Sequence, residues 1–277
     1  MKRVGATSWI LAVATLALIW LPLAAIAVAS FNAARFGAEW KGFTLGWYAS
    51  LFGHGAAVTD RALLVPAIRA ATANSLILAA ASTAIATALG TALALALEAA
   101  PWPRRLRAAI ETTMRLPLVV PDLLLAAALV VAIKVLAAFW DAAAPGMAAM
   151  IAGHVTFQVP LVALVVHARL RQIGVAQIET ARDLYASRWF AASRVVLPQL
   201  TSAIVAAAML AAIVSLDDFV VSFFTASPRT QVLPMLIYAQ AKRGVPAEID
   251  ALATLIVAAT SVAAVAIVLI TRPRRST

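Results

Sequence analysis

Apolar residues run through this sequence in long blocks, and the polar residues collect between them. The blocks cover about 9–30, 73–97, 109–138, 147–168, 199–224 and 250–271. The hydrocarbon core of a bilayer is about 30 Å thick, which takes about 20 helical residues at a 1.5 Å rise. The pattern therefore predicts an all-α membrane protein with about six transmembrane helices. No long polar linker separates the blocks, so residues 1–277 are read as a single transmembrane domain.

The blocks differ in character. Trp9 to Ser30 follows Met1-Lys2-Arg3 and ends in a cleavage-like Ala-Val-Ala-Ser at 27–30. It is longer than the 7–15 residues of a signal-peptide core, so the expectation is an uncleaved first span. Residues 31–72 are too polar to span, and Trp40, Trp47 and Tyr48 suit the membrane–water boundary. Ala and Leu dominate 73–97, with Ser, Thr and Gly90, and the small residues let helices approach closely inside a bundle. Pro117 and Pro121 fall within 109–138 and predict a kink, tolerated only where neighbours or water satisfy the freed carbonyls.

Composition supports the same picture. The chain is 64% hydrophobic and 12% charged, with a mean hydropathy of +0.95, whereas a soluble domain carries about a quarter of its residues as charges. It has no cysteine, which excludes disulfides and thiolate metal sites. The net charge of +10 does not indicate nucleic acid, because the basic residues sit in short loops between apolar blocks. The N-terminus, the 98–115 and 169–198 loops and the C-terminal tail hold 14 of the 22 Lys and Arg residues, leaving 8 for the opposite side. The positive-inside rule then places both termini and the 169–198 loop in the cytoplasm.

Within 169–198, Ala181, Leu184, Phe190, Val195 and Leu197 recur at near-helical spacing with charges between them. Two short amphipathic helices are expected, stopped by Pro198 where the next span begins. Their apolar face suits a partner protein, the lipid surface or the base of the bundle itself. The stretch resembles the EAA loop of binding-protein-dependent ABC importer permeases through Glu179, Ala181, Asp183, Leu184, Ala186, Ser187, Phe190, Leu197 and Pro198. It departs at Thr180, where that family has Ala, and at Tyr185, where it usually has Gly.

The resemblance implies a type I importer fold and a loop of coupling helices that dock into a cytoplasmic ATPase. Further stretches are similar to the second, C-type permease subunit of spermidine/putrescine importers. These are Ser30-Phe31-Asn32 through Trp47-Tyr48, Ser215-Leu216-Asp217-Asp218-Phe219, and Leu233-Pro234 through Thr254. What they imply is a multi-pass inner-membrane permease that imports polyamines. Its partners would be a second, dissimilar permease, two ATPase subunits and a periplasmic binding protein.

Three acids fall inside apolar blocks: Asp122, Asp217 and Asp218. A charge at mid-bilayer costs about 2.5–3.5 kcal/mol on insertion scales, so such residues face a cavity or a partner. Rise arithmetic along continuous helices puts Asp122 near the middle of the membrane and Asp217 in its outer part. One expectation is a translocation path whose carboxylates accompany the ammonium groups of a polyamine. The alternatives are ion pairs of these acids with Lys134 or Arg115 and, for Asp217 and Asp218, an outer contact to a binding protein.

His154, Thr156 and Gln158 are read as interhelical hydrogen-bonding residues. His54, His154 and His167 are too scattered to hold a metal. No nucleophile–base pair and no Gly-rich phosphate loop stands out, so the chain is expected to be a non-catalytic subunit without a cofactor, its partner ATPase binding ATP and Mg. An autonomous secondary transporter, a membrane-embedded enzyme, or an importer permease for another small cationic or organic solute are the rival readings.

Overall fold

A computed structural model describes residues 6–36, 39–53, 64–99, 102–139, 144–173, 180, 183, 185, 187, 190–242 and 244–271. Those residues are helical apart from turns, loops and one isolated antiparallel bridge between Asn32 and Phe43. They form two compact units, Met1–Arg69 with Ile237–Thr277, and Ala70–Leu236.

In the first unit, α1 (Ala6–Ala29) and α2 (Gly46–Leu51) both pack against α10 (Ala247–Thr271). The turn between α1 and α2 is built on Asn32. Its Oδ1 accepts the backbone N–H of Ala34 at 3.0 Å and of Lys41 at 2.9 Å, and its Nδ2 donates to the Glu39 carbonyl at 2.8 Å. The Asn32 carbonyl accepts the indole N–H of Trp47 at 2.8 Å, and Phe31 stacks on Phe43 with ring centroids 5.5 Å apart. One short amide thus satisfies loop backbone that would otherwise be left without partners.

The second unit contains most of α3 (Leu64–Ala99), with α4 (Arg104–Val119), α5 (Asp122–Ala137), α6 (Met147–Ile173), α7 (Leu197–Asp217), α8 (Val220–Thr225) and the start of α9 (Leu233–Ala241). Ala94, Val162, Val166, Leu170, Val196, Leu200, Ala207 and Ala211 form a buried cluster joining α3, α6 and α7. Small residues set the spacing. A Cβ added at Gly90 would lie 2.8 Å from Val162 Cβ and 2.9 Å from the Val159 carbonyl oxygen, so α3 and α6 touch at backbone distance.

At the loop end of this bundle, Glu98 Oε1 accepts from His167 Nε2 at 2.7 Å and from Arg107 Nη2 at 2.8 Å. Arg107 Nε donates in turn to Glu111 at 3.1 Å. These charge-assisted bonds tie the ends of α3, α4 and α6 together.

Among the described residues, four helices are long and apolar enough to cross a membrane: Thr7–Ala29, Leu64–Glu98, Met147–Ile173 and Ser193–Asp217. A fifth span is formed if α4 and α5 are taken together, and the 25-residue α10 occupies the sixth apolar block.

Three elements depart from expectation. The second helix begins at Leu64 instead of 73, because Arg69 and Asn74 interrupt the apolar run without interrupting the backbone, and Pro66 lies in the first turn where no N–H is needed. The 109–138 block is two helices bent by 109°, since the residue before Pro121 is forced out of helical geometry (Val120 φ −68°, ψ 131°). Asp122 is therefore the first residue of α5, and the straight-helix arithmetic for its depth does not apply. The 199–224 block also breaks, at Asp218.

Of the coupling-loop residues, Glu179, Ala181, Leu184 and Ala186 lie outside the described residues. Asp183 is helical, and Tyr185 adopts φ +61° with its side chain exposed. Ser187 Oγ accepts the Phe190 N–H at 3.2 Å and the Ser187 carbonyl accepts the Ala191 N–H at 2.9 Å, starting a new helical stretch. Phe190 is exposed.

The stop expected at Pro198 is absent: a π-helical segment, Ala191–Val196, passes directly into α7 with Val196 still helical (φ −81°, ψ −51°). Pro198 lies in the first turn of α7, where the wider π turn accommodates a ring that would clash with an α-helical carbonyl.

Candidate functional site

The two breaks position the three acids. Asp218 has an extended backbone (φ −66°, ψ 123°), and its carboxylate closes the first turn of α8 by accepting the N–H of Val221 at 3.2 Å and of Ser222 at 2.8 Å. This local bonding lets α7 end without a proline or glycine. Asp217 ends α7 and Asp122 begins α5, so each carboxylate stands at a helix terminus. Asp122 lies where the helix dipole favours an anion. Asp217 adds its charge to the carbonyl end of α7, a combination that favours a cation.

Asp122, Asp217 and Asp218 line one cavity of about 410 Å³, together with Pro117, Phe157 and Phe219. Asp122 and Asp217 are exposed, while Asp218 is half-buried. Among the described residues no ion pair joins these acids to Lys134 or Arg115, and Arg115 instead lies 3.9 Å from Glu111.

Behind the cavity is a buried polar chain. His154 on α6 is fully enclosed, with Nδ1 2.8 Å from Ser215 Oγ on α7 and Nε2 3.1 Å from Ser222 Oγ on α8. Nε2 is also 3.3 Å from Asp218 Oδ2, and Ser82 Oγ on α3 is 3.3 Å from Ser215 Oγ. Gly153 allows the approach, since a Cβ there would come within 3.0 Å of Val221 Cγ1.

Gln158 donates to the Ala211 carbonyl at 3.0 Å across the α6–α7 interface, whereas Thr156 bonds only to its own helix at the Ala152 carbonyl. His167 belongs to the Glu98 cluster at the other end of α6. No group of three potential metal-ligating side chains occurs among the described residues.

Sequence reasoning singled out the three aspartates and the hydrogen-bonding character of His154. It missed the partnership of His154 with Asp218, Ser215 and Ser222. The available signal was a lone histidine in one apolar block and serines flanking Asp217-Asp218 in another.

Residues 87–276 match the profile of the family described as binding-protein-dependent transport system inner membrane component. The chain is 31% identical over 262 residues to the spermidine/putrescine transport system permease protein PotC of Escherichia coli (strain K12), covering 93% of this chain and 91% of that protein. It is 29% identical over 259 residues to the same-named protein of Haemophilus influenzae. Its identity to the putrescine transport system permease protein PotI of Escherichia coli (strain K12) is 31% over 248 residues, covering 88% of this chain and 83% of that protein.

Proposed function

The chain belongs to the family of binding-protein-dependent transport system inner membrane components, and from that premise we propose that it is a permease subunit of an ATP-driven polyamine importer. The observation that carries this reading is the cavity lined by Asp122, Asp217 and Asp218. A protonated polyamine loses water from several ammonium groups on entering the membrane, and each then needs a carboxylate, a carbonyl or an aromatic face. Three carboxylates, the carbonyl end of α7, and the rings of Phe157 and Phe219 supply all three kinds of partner.

In this mechanism the permease does no covalent chemistry. A periplasmic binding protein delivers the cation, a second and dissimilar permease completes the path, and two cytoplasmic subunits bind Mg-ATP and hydrolyse it. The 169–198 loop, with Glu179, Ala181, Asp183, Leu184, Ala186, Ser187, Phe190, Leu197 and Pro198, docks on the ATPase, and both termini are cytoplasmic. Closure of the ATPase moves the loop. The buried cluster at Val196 and Leu200 passes that motion into α7, whose far end carries Asp217. Access to the cavity then alternates between the two sides of the membrane.

Uptake of labelled spermidine by cells carrying the assembled complex tests this reading. Asp122→Asn together with Asp217→Asn is expected to lower uptake at least about tenfold at unchanged membrane abundance, since each lost ion contact costs about 1.5–3 kcal/mol. Uptake at the unsubstituted rate would overturn the cation path.

A further inference from the structure

His154, Ser215, Asp218 and Ser222 meet at the α7–α8 break, and His154 contacts residues on both sides of it. His154 Nε2 lies 3.3 Å from a carboxylate oxygen of Asp218. A carboxylate only accepts, so Nε2 carries the ring proton. In the neutral ring Nδ1 then accepts the hydroxyl proton of Ser215 at 2.8 Å, and Ser215 Oγ accepts from Ser82 at 3.3 Å. Ser82, Ser215 and His154 each donate toward Asp218, which only accepts, and Ser222 Oγ, 3.1 Å from Nε2, shares the ring proton. The Asp218 carboxylate spends its remaining capacity on the N–H groups of Val221 and Ser222. Asp217, one residue earlier, has its carboxylate in the cavity and takes no part in this chain.

We infer that His154 is the positioning residue of the site: with Asp218 it braces the α7–α8 break, leaving Asp122 and Asp217 to meet the ammonium groups. The inference rests on the cation path proposed above and divides the labour among its acids. Adjacent aspartates of equal charge have different roles because one is committed to backbone and imidazole donors. His154 is fully enclosed and the Asp218 side chain is only 10% exposed, so an unpaired imidazole or carboxylate is costly there and the two residues act as a unit.

The chain has no cysteine, so a single introduced thiol reports local geometry cleanly. Val220 opens α8 and lines the cavity, and Leu161 lines it from α6. In the assembled complex in proteoliposomes, with cysteine-free partner subunits, Val220→Cys is labelled with an uncharged methanethiosulfonate reagent, whose local concentration does not depend on the charge of the cavity. Adding His154→Ala is expected to change the labelling rate about fivefold, the factor that one lost hydrogen bond gives. His154→Gln, which keeps a donor and an acceptor, restores it. Leu161→Cys reports no change in any of these backgrounds.

Asp218→Asn has the same effect as His154→Ala, and combining the two adds nothing further; this arm also stands if His154→Ala fails to accumulate. Asp217→Asn lowers spermidine uptake severalfold while leaving Val220→Cys labelling unchanged. Equal labelling rates in the His154→Ala, Asp218→Asn and unsubstituted backgrounds would overturn the brace. Normal uptake with Asp217→Asn would instead sink the cation path and leave the brace standing.

Discussion

Tyr185 holds φ at +61°, and its side chain is 99% exposed, so nothing packs against it to offset a left-handed backbone. The left-handed conformation costs an L-residue about 1–2 kcal/mol. The EAA-loop pattern that this stretch resembles has glycine here, and the left-handed geometry that suits a glycine is present in this chain without one. Tyr185→Gly is expected to stabilise the loop by up to about 1 kcal/mol, the relief being partly offset by glycine's freedom in the unfolded chain. Tyr185→Val should destabilise it, because a β-branched side chain tolerates this region least. The rate of proteolytic cleavage within 180–190 of the purified complex measures both, and equal rates for the two variants would refute the account. At this scale the candidate site was partly legible. Aspartates inside apolar blocks stand out because hydrocarbon penalises them, and that penalty is local information. The brace was not legible, since His154 and Asp218 are 64 positions apart and only the packing of α6 on α8 reveals their pairing.

Helices as elements were easier to read than their ends. Apolar blocks had to become helices because a chain in hydrocarbon must satisfy its own backbone. Pro121 announced one break through its effect on Val120, whereas the break at Asp218 has no proline or glycine to mark it and depends on side-chain acceptors. The Glu98 cluster joins residues from three helices and has no periodic signature. Gly90 shows how much a single small residue decides between elements. A methyl group there meets Val162 and the Val159 carbonyl, and a backbone atom cannot step aside as a side-chain tip can. Gly90→Ala is expected to cost about 1–3 kcal/mol by forcing α3 from α6, read as a lower thermal midpoint of the detergent-solubilised complex. At Gly153 the nearest atom is the Cγ1 of Val221, a side chain able to rotate, so Gly153→Ala should cost less. A midpoint for Gly90→Ala equal to that of the unsubstituted complex would contradict the close crossing.

For the molecule, the informative object is the continuous helical path from Ala191 to Asp217, which ends at the cavity. The 21 residues of α7 make a strut of about 31 Å with Leu200 in the buried cluster near one end and Asp217 at the other. The π-helical segment Ala191–Val196 stands at the head of that strut. A π turn arises where one residue too many is accommodated within an α-helix, so this segment holds a spare position in the chain. Length changes in the protein should therefore be tolerated unequally. Deleting one residue from within 191–196 converts the segment to ordinary α-helix and keeps α7 in phase with its neighbours, so uptake should survive within several-fold. Deleting one residue from 203–208 turns everything beyond it by about 100°, carrying Ser215 away from His154 and Asp217 out of the cavity, and uptake should vanish. Equal uptake from the two deletions, at equal abundance, would show that the spare residue has no such slack to give. The segment that breaks the helical rule is thus the place where this chain can lose a residue without losing alignment between α7 and the cavity.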